Sequence, residues 1–182
     1  MSHDEQTSNG PSPIVLDTTV LINFARTDSV DWLAETISIP VTVDAVTREL
    51  GDGLWEGYES LESVSEYIEY VDGVPEEPVD AICVVPLDGL PRNDAPVEIE
   101  KLDRGEAHAL YYAWPDGTLA TDDLDARDLA KKGGVHVTGS IGILVDGVER
   151  GALSVETADE WLEVWRDAGY YSPVETVSEL VE

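Results

Sequence analysis

Three aspartates follow apolar runs whose length and composition are typical of short buried strands. Asp17 comes directly after the run IVL, and a second run, TLAT, leads into Asp122 and Asp123. A charged group at the edge of an apolar segment costs free energy unless something pairs with it. Parallel strands buried on both faces have such uninterrupted apolar runs, and ligands bind at the edge where their carboxyl ends meet. We therefore expect these three carboxylates to lie close together.

Two glutamates also occupy positions that need an explanation. In VDAVTREL, Glu49 borders the apolar helix face formed by Val46 and Leu50, so it either faces a site or reaches outward to pair with a cation. In LDRGEAHALYYA, Glu106 stands three residues after Asp103, the spacing of a capping box, and capping is compatible with a second role. Because 39 of 182 residues are acidic, only position in a pattern separates a functional carboxylate from a solvated one.

Alternating strands and helices are predicted to position these acids. The predicted strands span residues 14–17, 37–43, 81–85, 118–121 and 135–138. The predicted helices begin near residues 18 and 44 or span residues 29–36, 54–71, 103–114, 124–132, 140–150 and 157–168. Residues 88 to 96 are turn-rich and predict a loop. This alternation indicates an α/β fold with a central parallel sheet between helical layers.

Length and composition indicate one main domain. We expect a disordered polar tail at residues 1–13, the main domain at 14–150 and a C-terminal helical extension at 151–182. No apolar stretch approaches the roughly 20 residues that cross a bilayer, so we expect a cytoplasmic protein without a membrane partner. Cys83 is the only cysteine, which excludes an internal disulfide and a thiolate zinc site, and we expect it to be buried.

The charge of the chain indicates its environment. Its 39 acidic and 10 basic residues give a net charge of −29. Molar salt shortens the Debye length to roughly 3 Å and screens most of the resulting repulsion. We therefore predict a cytoplasm of very high salt, as in a halophilic archaeon. The alternatives are an acidic mimic of nucleic acid or a cation-binding surface.

Four segments, in their order and spacing, resemble a PIN domain, the fold of many metal-dependent ribonucleases. They are IVLDTTVLINFAR, VTREL, LDRGEAHALYYA and LATDDLDARDLAKKGGVHVTGSIGILV. The last is especially similar to a prokaryotic branch described as predicted nucleic-acid-binding proteins and related to VapC-type toxins. The resemblance covers residues 14 to 150. It implies a three-layer α/β/α fold and a divalent-metal-dependent endoribonuclease, with RNA as substrate, a small antitoxin as a further partner and a homodimer as a common assembly.

The resemblance also implies a set of site residues. Catalytic roles fall to Asp17, Glu49, Glu106 and Asp123, and metal binding falls to these four together with Asp122. Neighbouring carboxylates stay ionised together only around a cation, and oxygen-only ligands favour Mg²⁺ or Mn²⁺. Such an ion can activate water for in-line attack on a phosphodiester.

Candidate substrate-binding residues flank these acids. They are Thr18, Thr121, Arg104 and Arg127. The threonines either contact a phosphate, orient the acids, or simply form a helix start and a strand end. Five of the ten cations fall between residues 101 and 132 and predict a positive rim that contacts phosphates. Arg127 could instead pair with acidic residues nearby, and Lys131 and Lys132 also suit the C-terminal end of a helix. Asn23, about one helical turn beyond Thr19, either faces the site or is an exposed polar residue, and we expect the second.

Other functions stay open at this point. A non-catalytic PIN-fold module that binds nucleic acid or protein would keep the fold without turnover, and a metal-dependent phosphatase would hydrolyse a small phosphate ester instead of RNA. The apolar segment WLEVW, residues 161–165, is a candidate contact of a homodimer, and its two tryptophans belong either to such an interface or to the core.

Overall fold

The computed structural model describes residues 12–55, 61–86, 97–113 and 117–181. Within these ranges a single sheet has the strand order β3-β4-β2-β1-β5-β6, and every neighbouring pair is parallel. The strands are β1 (Ile14–Leu16), β2 (Pro40–Val43), β3 (Ile68–Tyr70), β4 (Ile82–Val85), β5 (Thr118–Ala120) and β6 (His136–Thr138). The predicted tail up to residue 11 and the predicted loop at 88–96 lie outside the described residues.

Helices connect the strands in the described part of the chain. The α-helices are α1 (Thr18–Arg26), α2 (Val30–Thr36), α3 (Asp44–Trp55), α4 (Glu62–Glu66), α5 (Arg104–Ala113), α6 (Leu124–Lys132), α7 (Ser140–Glu149) and α8 (Val155–Asp167). Short 3₁₀ helices span Val97–Lys101 and Val177–Glu179. The predicted α/β class with a central parallel sheet is therefore confirmed.

Burial explains the layered architecture. The interior strands β2 and β4 are buried along their whole length, as parallel strands are when helices cover both faces of a sheet. Helix α5 packs on β1, β2 and β5, whereas α1 packs against α2, α7 and α8. The result is a three-layer α/β/α fold. Cys83 lies in β4 and is buried, as the sequence predicts.

The predicted helix over residues 54–71 is wrong at its C-terminal end. Helix α4 ends at Glu66, and residues 68–70 form β3 at the edge of the sheet. The Ile82 N–H donates to the Tyr67 carbonyl at 2.8 Å, and the Val71 N–H donates to the Val84 carbonyl at 3.1 Å. Aromatic and β-branched residues fit a strand well. Residues 68–70 form a strand because they pair with β4, and the spacing of apolar residues along the sequence does not reveal this pairing.

The C-terminal residues share the core of the sheet domain. Trp165 of α8 is fully buried and packs edge to face on Phe24 of α1, with ring centroids 5.0 Å apart. Leu162 and Val177 are also fully buried. Leu162 and Trp165 of WLEVW are thus buried within the chain, whereas Val164 is 44% exposed, and a homodimer contact through this segment stays a prediction. Among the described residues, every helix is too short or too polar to cross a bilayer.

Candidate active site

The acidic residues lie at the point in the sheet from which the connections after β1 and β5 run in opposite directions. The chain after β1 continues to β2 on one side of β1, whereas β5 lies on its other side and continues outward to β6. Connections that leave in opposite directions open a crevice at the carboxyl ends of the two strands. Asp17 directly follows β1, and Asp122 and Asp123 follow β5 with only Thr121 between. The Thr121 hydroxyl donates to the Asp17 carboxylate at 2.7 Å and joins the two strand ends.

Asp17 is a completely buried carboxylate. It is the N-cap of α1 and accepts from the Thr18 N–H at 2.7 Å, the Thr121 hydroxyl at 2.7 Å and the Thr19 hydroxyl at 3.3 Å. Burial raises the pKa of Asp17 to about 6, the hydrogen bonds from Thr121 and Thr18 oppose that rise, and the charge of Glu49 adds to it. These partners are neutral donors, so none of them balances the charge of an ionised Asp17.

Glu49 is partly buried and faces the same crevice. One carboxylate oxygen accepts from the Gly105 N–H at 2.7 Å, and the other accepts from the Thr18 hydroxyl at 2.5 Å. A Cβ at position 105 would lie 2.4 Å from the nearer of these oxygens, so the absence of a side chain lets the start of α5 approach Glu49. Glu49 therefore connects α3 to the first turns of α1 and α5.

Glu106 and Asp123 combine helix capping with a position beside the other acids. Glu106 accepts from the Asp103 N–H at 3.2 Å, as in the predicted capping box, and Asp123 caps α6 by accepting from the Ala126 N–H at 2.8 Å. Burial and, after it, the charges of Asp123 and Asp17 together raise the pKa of Glu106 to about 7. Electrostatic repulsion thus links acids from β1, α5 and the β5–α6 junction.

Asp122 is held by hydrogen bonds on both of its oxygens. One oxygen accepts from the Ser140 N–H at 2.9 Å and the Tyr170 hydroxyl at 3.1 Å. The other accepts from the Ser140 hydroxyl at 2.5 Å and the Asn23 amide at 3.1 Å. These four donors fill the roughly four acceptor positions of a carboxylate. Burial and the Asp122 charge both raise the pKa of Tyr170.

The prediction that Asn23 is exposed is wrong. Its side chain is 3% exposed, because the amide donates to both Asp122 and Ser140. The sequence analysis also missed Ser140 and Tyr170. Asn23 stands four residues after Thr19 on α1, which is one weak signal, whereas nothing in the sequence connects Tyr170 to an aspartate 48 residues away.

The four candidate substrate-binding residues differ in accessibility. Thr121 is fully buried, and the Thr18 hydroxyl is engaged by Glu49. Arg127 donates from one guanidinium nitrogen to the carbonyls of Thr121 at 2.8 Å and Thr138 at 2.7 Å, which ties the end of β5 to the end of β6. Arg104 is exposed at the first position of α5.

Every candidate metal ligand at the site is a carboxylate, and Mg²⁺ prefers oxygen ligands. Among the described residues, no three histidine, cysteine, aspartate or glutamate side chains are arranged so that they could hold a metal ion. Mg²⁺ is usually bound through one or two carboxylates and keeps several waters. Simultaneous direct ligation by three or more of the described acids therefore does not fit this arrangement, whereas binding through one or two of them does not require such a cluster.

A comparison with family models assigns the chain. The DUF3368 model, described as a PIN domain, matches residues 13–182. The chain therefore belongs to the PIN domain family, and the resemblance of the four segments is confirmed. No curated protein and no solved structure gives a match.

Proposed function

We propose that this protein is a divalent-metal-dependent endoribonuclease. The observation that carries the proposal is the fully buried Asp17, which has only neutral donors as hydrogen-bond partners and whose pKa is raised to about 6 by burial and by the neighbouring Glu49. A buried carboxylate beside a second one costs free energy when it is ionised and no cation is bound. Membership of the PIN domain family, many of whose members are nucleases, supports the same activity.

Four acids would hold the ion, which is Mg²⁺ or Mn²⁺ because every donor is an oxygen. They are Asp17, Glu49, Glu106 and Asp123, of which one or two would bind the ion directly and the others through water. When bound, the ion supplies Lewis-acid stabilisation of the charge on the phosphate. The chain itself orients the carboxylates: the Thr121 hydroxyl fixes Asp17, and the Thr18 hydroxyl fixes Glu49. We assign both threonines to this orienting role.

Asp122 has a different role in this proposal. Its oxygens already accept four hydrogen bonds from Asn23, Ser140 and Tyr170, so ligation would require some of these bonds to break. We assign Asp122 to positioning the loop that carries Asp123. Arg127 has a similar positioning role through the two carbonyls it contacts. Arg104, exposed two residues before Glu106, is the candidate contact for the RNA backbone.

Cleavage of RNA tests this function. Purified protein in molar KCl with Mg²⁺ or Mn²⁺ is incubated with end-labelled single-stranded and structured RNA, beside Asp17→Asn and Asp123→Asn proteins. We expect cleavage that chelator and both substitutions abolish. Asp128→Asn removes an exposed carboxylate from α6 and should cleave like the wild type. Cleavage that persists in chelator, or in the Asp17→Asn protein, would contradict the proposal.

A second candidate is a non-catalytic PIN-fold module. The lack of a preformed three-ligand metal cluster among the described residues favours it. This candidate predicts that the wild type retains RNA without cutting it.

The proposed nuclease could act as the toxin of a toxin-antitoxin pair. In that case its expression in the cytoplasm arrests growth, and a small antitoxin or a second copy of the chain binds the protein. Growth that continues despite active nuclease would exclude the toxin role.

A further inference from the structure

An open cavity of about 870 Å³ lies beside the carboxylates. Its walls come from α1, from the start of α6, from the β6–α7 junction and from the chain after α8. Asp122 and Asp123 form part of its lining, so the cavity shares a wall with the candidate active site. Its volume lies within the roughly 300–1,000 Å³ typical of pockets for small ligands.

The cavity presents apolar and aromatic surface to the solvent. Ile22, Val137, Ile141 and Pro173 line it. At its rim Leu124 is 69% exposed and Tyr171 is 81% exposed. Exposed apolar side chains of this size around a concavity indicate a binding surface. An exposed tyrosine that lines such a cavity is suited to stacking against a planar ring.

Arg26 adds a positive charge to the same rim. It lies in the last turn of α1 and is exposed, and one guanidinium nitrogen donates to the Asn23 amide oxygen at 3.3 Å. Arg48 and Arg150 each pair with an aspartate four residues earlier, but position 22 is isoleucine. Arg26 forms no ion pair with any residue in the described ranges. In a chain with 39 acids this leaves an arginine available for an external anion.

We propose that this cavity binds a nucleotide of an RNA strand next to the phosphodiester at the carboxylates, with Arg26 on its phosphate and Tyr171 and Leu124 against its base. The inference rests on the proposed function in taking RNA as the ligand. A strand whose phosphate lies at Asp123 reaches the cavity directly because the two share that residue. A net charge of −29 gives no long-range attraction to RNA, so binding depends on short-range contacts such as stacking, which tolerate every base.

Binding is measured apart from cleavage, by fluorescence anisotropy of a labelled eight-nucleotide RNA in molar KCl with Ca²⁺ in place of Mg²⁺. We expect Tyr171→Ala to weaken binding about 5- to 150-fold, the range for losing one stacked base. We expect Arg26→Gln to weaken it about 10- to 150-fold, the range for losing one hydrogen bond to a charged group. Tyr171→Phe and Arg26→Lys should retain most of the affinity, because they keep the ring and the charge.

Two matched variants control for composition and charge. Tyr70→Ala removes a tyrosine that is 68% exposed on β3, at the far edge of the sheet. Arg150→Gln removes an arginine from the C-terminal end of another helix, α7. Both should bind RNA like the wild type. Since Tyr171 and Arg26 are exposed, their variants should also unfold at the wild-type temperature.

The outcomes separate this inference from the proposed function. Weaker RNA binding by the Tyr171 and Arg26 variants, without any cleavage by the wild type in Mn²⁺, would support RNA binding in the cavity and contradict the proposed nuclease activity. Cleavage by the wild type with unchanged RNA affinity in both variants would keep the nuclease and overturn the cavity. Wild-type protein that binds no RNA would overturn the inference and direct the search toward a protein ligand for the cavity.

Discussion

Replacing Asp17 by asparagine should stabilise the protein in the absence of divalent metal. Burial raises the pKa of Asp17 from its ordinary value of 3.8 to about 6, which means that folding opposes ionisation of this group. At about 1.4 kcal/mol for each pKa unit, the ionised side chain costs about 3 kcal/mol at neutral pH. Asparagine carries no charge, its oxygen can still accept from the Thr18 N–H, and the Thr121 hydroxyl can turn to accept from its amide. We expect a net stabilisation of about 1–3 kcal/mol, because these bonds are weaker than those to a carboxylate.

The pH dependence of this effect has a definite sign. A pKa raised by folding contributes no penalty below about pH 4, where both the folded and unfolded states carry the proton. The penalty grows as the pH rises and is complete above about pH 6, the pKa in the folded state. The wild type should therefore lose stability relative to Asp17→Asn between these two pH values. The two proteins should converge below them.

Chemical and thermal unfolding in chelator and molar KCl, between pH 4 and pH 8, measure the difference. For a chain of this size each kcal/mol corresponds to a change in melting temperature of about 2–4 °C. Asp128→Asn, an exposed change on α6, should leave stability almost unaltered. An Asp17→Asn protein that is less stable than the wild type at pH 7, or a stability difference that is independent of pH, would refute the electrostatic reasoning.

Three further predictions concern the groups around the acids. Gly105→Ala should lower divalent-metal affinity about 10- to 100-fold in a calorimetric titration, because its Cβ would displace the Glu49 carboxylate; Gly51→Ala, with open space around it, should not. Tyr170→Phe should cost about 1–2 kcal/mol in chemical denaturation, because Asp122 loses a donor, whereas the same cost in the exposed Tyr171→Phe would argue against that explanation. Lowering the KCl concentration from molar to about 0.1 M, where the Debye length is about 10 Å, should unfold the protein, and circular dichroism measures this change. A stability that does not depend on salt would contradict the halophilic prediction.

The sequence predicts most of the fold because burial leaves a clear mark on it. The run IVL and the run AICVV have no polar alternation, which occurs where helices cover both faces of a strand. Residues 68–70 carry no such mark, since β3 is a short, largely exposed edge strand that depends on β4 for its hydrogen bonds. Local pattern cannot reveal a strand that is defined by its neighbour.

The candidate site divides in the same way. Asp17 and Asp123 are predictable because they follow buried strands, and parallel strands align their carboxyl ends. The network around Asp122 is not predictable, because Asn23 and Tyr170 reach it from positions 99 and 48 residues away along the chain. Arg127 has the charge and position of a phosphate contact, yet its guanidinium bonds to backbone carbonyls. Long-range packing decides these roles.

The central claim is that the acids at the β1–β5 switch point gather to hold a divalent ion. Titration with Mn²⁺, followed by electron paramagnetic resonance in molar KCl that suppresses weak binding to the acidic surface, tests it most directly. The account predicts a tightly bound Mn²⁺ in the wild type and in Asp128→Asn that is absent from Asp17→Asn. Equal tight binding in all three proteins, or none in the wild type, would contradict it.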